Sequence, residues 1–414
     1  MQTTLISKLL AALTIFLGCA ELQGSEPDVK SSLRPLQFDV KSQTVLEHND
    51  GKFFWFHPRA AVIRGKDRTQ IPQVVMTLQR HLVVSDHYSG MYTMLSKDLG
   101  RTWSGPDQVP ALDWVSEQDI DIAVIDVTPA WHPHTQKIIA VGAQVRYNRQ
   151  GQQLEDVPRA HQTAYSVFDP QSGHWTQWKR LELPRESLFN FARSACAQWL
   201  VEPDGSVLLP FYHGIDSPHP RSAAVVRYSF DGKELKYVSH GTPMHLETGR
   251  GYTEPSLIKY QGRYFLTIRS DDRAWVTASQ DGLEFPPPKP WTFEDGKELG
   301  SYNTQQHWLA HSDGLFLAYT RRGANNDHIF RNRAPLFIAQ VDPEKLQVVR
   351  HTERVLLPDR GAPLGNFGVT AIGPGESWVT VSEFVTSAAK KRGAKGCLYI
   401  ARVLWSQPNR DVPD

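Results

Sequence analysis

Short runs of alternating or continuous apolar residues, most of them five to eight long, recur along nearly the whole chain. They cover residues 60–63, 73–78, 81–85, 91–95, 120–126, 138–145, 163–168 and 206–212. The series continues through 223–230, 263–269, 275–279, 315–320, 335–341, 377–384 and 397–404. Val, Ile, Tyr and Phe dominate these runs, and Gly, Pro, Asn and Asp separate them, which predicts strands joined by tight turns. No long segment carries a helical period. The pattern therefore predicts an all-β chain.

The turns between the runs repeat a chemistry. Ser96-Lys97-Asp98-Leu99-Gly100-Arg101-Thr102-Trp103 places an Asp to accept turn amides, a Gly for positive φ, and a Trp that returns as an apolar plug. Ala278-Ser279-Gln280-Asp281-Gly282-Leu283-Glu284-Phe285 repeats it with Phe as the plug, and Tyr228-Ser229-Phe230-Asp231-Gly232-Lys233 keeps only the turn. The first of these resembles the Asp-box of the sialidase superfamily. Widely spaced turns of one type imply a radially repeated β architecture. At about 45–65 residues per four-stranded blade, residues 41–408 are expected to form one six-bladed β-propeller.

Composition narrows the picture further. With 414 residues, 40% hydrophobic and 21% charged, the chain can bury a large core. A net charge of +1 supplies no overall field toward nucleic acid. Residues 1–20 read as an export signal: Lys8, an apolar run from Leu9 to Leu17, then Gly18, Cys19 and Ala20. Phe16-Leu17-Gly18-Cys19 also resembles a lipobox, so a lipid anchor at Cys19 stays open. Residues 21–40 read as a linker or N-terminal wrap. Cys196 and Cys397 can pair or remain free. The pair His132 and His134 lacks a nearby third ligand, so no metal is expected, and the absence of phosphate-loop motifs leaves no cofactor.

The resemblance to the sialidase superfamily implies a set of site residues. That family grips a substrate carboxylate with three arginines, and Arg59, Arg269 and Arg333 stand at matching places, with Arg331 a poorer fit than Arg333. An Asp loop before the first Asp-box makes Asp86 the acid/base counterpart. Thr253-Glu254-Pro255-Ser256 makes Glu254 the catalytic partner. His57 and His87 adjoin matched positions and are expected to bind substrate. The family's nucleophilic Tyr is not matched: Gly365-Asn366-Phe367-Gly368 occupies its place, with Tyr88, Tyr252 and Tyr302 as substitutes. Asp126, Arg193 and Gln198 are weaker candidates near the axis.

These residues imply an exported exo-glycoside hydrolase acting on a glycan with a terminal acidic sugar. Two alternatives stay open. One is a polysaccharide lyase in which arginines neutralise a uronate carboxylate while His57, His87 or a Tyr takes the α-proton. The other is a carbohydrate-binding propeller without catalysis.

Overall fold

The computed structural model describes residues 34–65, 71–83, 86–155, 162–216 and 219–412. The export signal, Cys19 and the first part of the expected linker lie outside them. Among the described residues the strands form six antiparallel sheets. Sheet I takes Phe54–Ile63, Gln73–His81, Tyr88–Ser96 and Ser104–Gln108. Sheet II is built on Ile120–His132, Lys137–Tyr147 and Thr163–Asp169. Sheet III begins with the broken strand Phe191–Arg193 and Leu200–Val201, followed by Val207–Gly214, Ser222–Phe230 and Leu235–His240.

Sheet IV takes Thr253–Tyr260, Arg263–Arg269, Ala274–Ser279 and Lys289–Pro290. Sheet V takes His307–His311, Gly314–Tyr319 and Leu336–Asp342, with two short strands beyond. Sheet VI takes Phe367–Gly373, Glu376–Ser382 and Cys397–Trp405. Its fourth strand is Phe38–Glu47, from the other end of the chain, so strand pairing fastens the ends together. That strand begins three residues inside the segment read from sequence as linker. The first strands of successive sheets touch in order, and that of sheet VI touches that of sheet I. The arrangement is a β-propeller.

The core lies between the sheets rather than at one centre. One apolar layer joins sheets IV and V around Trp291, Trp308 and Phe337. Another joins sheets VI and I around Trp378, Trp55 and Met76, and Phe211, Val226 and Trp199 fill the gap between II and III. The inner strands thus bury residues on both faces, which is why many runs are continuously apolar rather than alternating.

The turn at 96–103 shows how local chemistry fixes these layers. Asp98 Oδ1 accepts from the Thr102 amide (2.9 Å) and Oδ2 from the Thr102 hydroxyl (2.6 Å), while Ser96 Oγ accepts from the Gly100 amide (2.7 Å). Trp103 then packs toward Trp378. The turn at 279–285 repeats the bonds through Ser279 and Asp281 and buries Phe285. Gly100 has φ +77°, and a Cβ there would lie 2.6 Å from the Trp378 ring. Gly100→Ala is therefore expected to cost about 1–3 kcal/mol, read as a lower denaturation midpoint with an unchanged slope.

Cys196 and Cys397 are both buried and unpaired. His132 Nε2 donates to the Gly205 carbonyl while its Nδ1 accepts from Thr135, and His134 donates to the Pro203 carbonyl. Both rings serve turns.

Candidate active site

The first strands of the sheets face the axis, and three of them are interrupted at the same level. Register breaks occur between Phe56 and Arg59, between Ile125 and Thr128, and between Thr253 and Ser256. Each break holds a non-glycine residue with positive φ: His57 (53°), Asp126 (55°) and Glu254 (45°). Cys196 (51°) occupies the gap in the first strand of sheet III. Such bulges re-aim a side chain, and left-handed backbone in non-glycine residues is a strained state that surrounding structure must hold. Here all four residues turn into one axial cavity. Pro58 and Pro255 directly follow two of them; lacking an N–H, proline suits a bulge, where no ladder bond is needed.

The cavity has a volume of about 240 Å³ and is lined by polar groups. Six arginines contribute, Arg193, Arg221, Arg250, Arg269, Arg331 and Arg333, against four carboxylates, Asp86, Asp126, Glu155 and Glu254. His57, Tyr88, Tyr212, Cys196 and Asn366 complete much of the wall. Cationic character on this scale favours an anionic ligand.

Asn303 organises one side. Its Oδ1 accepts from Arg269 (2.5 Å) and Arg250 (2.9 Å), and its carbonyl accepts from Arg333 (2.6 Å). Arg269 also bonds Glu254 Oε1, while Glu254 Oε2 is buried without a partner. Arg250 is paired with Asp271. Burial, with Arg269 and Arg331 as like-charged neighbours, pushes the Arg333 pKa down. Burial, with Arg269 and Arg250 as like-charged neighbours, pushes the Arg331 pKa down as well. Crowded guanidinium groups of this kind are relieved by a bound anion.

The opposite side is built around Asp126 and Asp86. His57 Nε2 lies 2.9 Å from Asp126 Oδ1, and Arg59 Nη1 lies 4.0 Å from the same oxygen. Burial alone would raise the Asp126 pKa; His57, Arg59 and the Cys196 thiol together hold it well below the usual carboxylate range. Asp86 is exposed and accepts from the Tyr88 hydroxyl (3.1 Å), and its carbonyl accepts from Tyr147 (2.7 Å). Burial first, then Asp86, raise the Tyr88 pKa, so its phenol stays protonated at neutral pH. Burial likewise raises Tyr212 to about 12.

The structure thus brings Asp86, Glu254, Arg269, Arg333 and His57 to one cavity. It does not bring Arg59 there. The bulge at His57-Pro58 shifts the alternation, so His57 takes the cavity-facing position and Arg59 lies behind it. Arg59 is 2% exposed and bonds Gln305 (3.3 Å). His87 is also absent from the wall; its ring packs on Trp114 and Tyr147 instead. Phe367 is fully buried in the core, edge-on to His307, and only Asn366 of that segment reaches the cavity. Tyr252 is buried in an apolar cluster, and Tyr302 bonds Asn332. Arg221, Arg250 and Tyr212 reach the site without a signal in the sequence. They come from ordinary-looking strand ends, and only the ring of sheets gathers them.

No protein-family model matches the sequence, and no curated protein does. Among solved structures, a protein of unknown function from Dyadobacter fermentans is similar with a TM-score of 0.63 at 15% identity, covering 88% of this chain and 99% of that one. The NanB sialidase of Streptococcus pneumoniae is similar with a TM-score of 0.58 at 11% identity, over 92% of this chain and 71% of that one. The Trypanosoma rangeli sialidase, solved in complex with sialic acid, gives 0.54 at 13% identity, over 89% and 59%. At such identities the likeness is one of fold: this chain has a sialidase-like β-propeller.

Proposed function

We propose that this chain is an exported glycoside hydrolase that takes a terminal acidic sugar into the axial cavity of a propeller with six blades, one per sheet. The turns at 96–103 and 278–285 are read as its Asp-boxes. The observation that carries the reading is the meeting of Arg269, Arg331 and Arg333 with Asp86 and the free Oε2 of Glu254 in one polar cavity. The guanidinium groups hold the sugar carboxylate, since their forks match it in plane and charge. Asp86, exposed and hydrogen-bonded to a phenol, protonates the leaving oxygen. Glu254 activates water through Oε2 while Arg269 fixes its other oxygen. With Phe367 in the core, no phenol attacks from that segment.

A second reading has its own support. The Asp126–His57 pair adjoins Tyr88, ring centroids 4.8 Å apart, an arrangement suited to removing the proton α to a uronate carboxylate. Incubation with a panel of sialosides and uronate-terminated oligosaccharides separates the two. Hydrolysis gives two saturated sugars and incorporates solvent oxygen; elimination gives an unsaturated uronate that absorbs in the ultraviolet. Glu254→Gln is expected to lower hydrolytic turnover about 10²–10⁴-fold and to lower the melting temperature as well, because it leaves the buried Arg269 guanidinium without its carboxylate. Full activity in that variant would remove Glu254 from the chemistry, and binding without any product would leave a lectin-like propeller.

A further inference from the structure

Three cavity arginines, Arg221, Arg331 and Arg333, have no ion-paired carboxylate among the described residues, whereas Arg250 is paired with Asp271 and Arg269 with Glu254. The unmatched charges lie on two walls. Arg331 and Arg333 come from the segment before the third strand of sheet V. Arg221 immediately precedes the second long strand of sheet III, its guanidinium 4.6 Å above the Phe191 ring and 5.9 Å from that of Tyr212. Sheet IV stands between these two sheets in the ring and contributes the already neutralised Arg269. Arg221 is only 8% exposed, and its Nε is buried without a partner. A carboxylate gripped at Arg331 and Arg333 leaves Arg221 without an ion-paired anion among the described residues, with Glu155 acting on it only from beyond ion-pair range, and a buried unpaired charge is costly.

Resting on the reading of the cavity as an acidic-sugar site, we infer that the ring bound there carries two anionic groups. One is its carboxylate, held by Arg331 and Arg333 beside the Glu254-paired Arg269; the other faces Arg221 and is a substituent such as an O-sulfate. The cavity volume of about 240 Å³ accommodates a single ring, below the roughly 300–1,000 Å³ of sites for larger ligands. Both groups are accordingly placed on the same sugar, and the probe with a neighbouring uronate tests that placement. A sulfate accepts the paired donors of a guanidinium as readily as a carboxylate does.

The test is calorimetric titration of the full chain with three probes. These are an oligosaccharide ending in glucuronate, the same one O-sulfated on its terminal ring, and one with a second uronate on the neighbouring ring. Terminal sulfation is expected to tighten binding about tenfold or more, the worth of one charge-assisted bond. In Arg221→Met the ratio of the two affinities should fall toward one, and in Arg221→Lys it should partly return, which separates charge from packing. Arg333→Met should weaken both sugars and keep the ratio. Equal affinity for sulfated and unsulfated rings would overturn the inference while leaving the acidic-sugar site standing. A gain only from the neighbouring uronate would also overturn it. Failure of every acidic probe to bind would remove both.

Discussion

Arg269→Met is expected to lower turnover of an acidic glycan about 10³-fold, comparable with loss of a main anion-stabilising donor, and to destabilise the fold. The guanidinium is 6% exposed and has two tasks. It holds Glu254 Oε1, and it bonds Asn303, whose other contacts orient Arg250 and Arg333. Removing it leaves the Glu254 carboxylate half-buried and unpaired, a loss of about 3–5 kcal/mol. The double variant Arg269→Met, Glu254→Gln separates the two consequences. With the stranded charge gone, much of the stability should return in urea titration, whereas turnover should stay at the single-variant level or lower. Recovery of activity along with stability would show that turnover needs neither the Arg269 guanidinium nor the Glu254 carboxylate, and would overturn both roles.

The strands that could be read in the sequence and those that could not differ in position. Runs such as 138–145 and 223–230 lie in the second and third strands of their sheets, Lys137–Tyr147 and Ser222–Phe230, which are regular and apolar on both faces. The strands that escaped include the first strands Thr253–Tyr260, His307–His311 and Phe367–Gly373 and the outer strands Phe38–Glu47 and Leu235–His240. Among the first strands, Thr253–Tyr260 carries Glu254 with a bulge and a proline interrupting its pattern, and Asn366 directly precedes Phe367–Gly373. Runs 73–78 and 81–85 instead merged in part, since one strand extends unbroken from Gln73 to His81. Polar side chains on the axis erase the alternation that periodicity detects. A strand that builds the site is thus among the least legible.

The same geometry explains which of the matched residues reach the cavity. Glu254 and Arg269 lie across a hairpin from each other, so one local pattern fixes both. Arg333 reaches the cavity through Asn303 together with its neighbour Arg331, whose φ of 55° turns it inward; spacing alone could not rank the two. On the first strand of sheet I the bulge keeps the matched arginine out of the cavity. An extra residue at a bulge changes which side chains share a face, so Arg59 went behind the wall and His57 came to the front.

Asp126→Asn tests what that exchange costs the fold. Asn tolerates the left-handed backbone at this position, so the substitution removes charge without adding strain. It leaves Arg59, 2% exposed, without a carboxylate in ion-pair range among the described residues, and His57 without its anionic partner. The expected loss at neutral pH is about 3 kcal/mol or more. Because the folded-state pKa of Asp126 lies below its unfolded value, the stabilisation is complete above the unfolded pKa, about 4, and is lost as pH falls through the folded one. Denaturation of wild type and variant at a series of pH values should therefore show a constant gap from neutrality down to about pH 4, narrowing in stronger acid. A gap that persisted unchanged into acid would mean that Asp126 holds the bulge by shape and hydrogen bonding, with its charge contributing nothing to the buried arginine beside it.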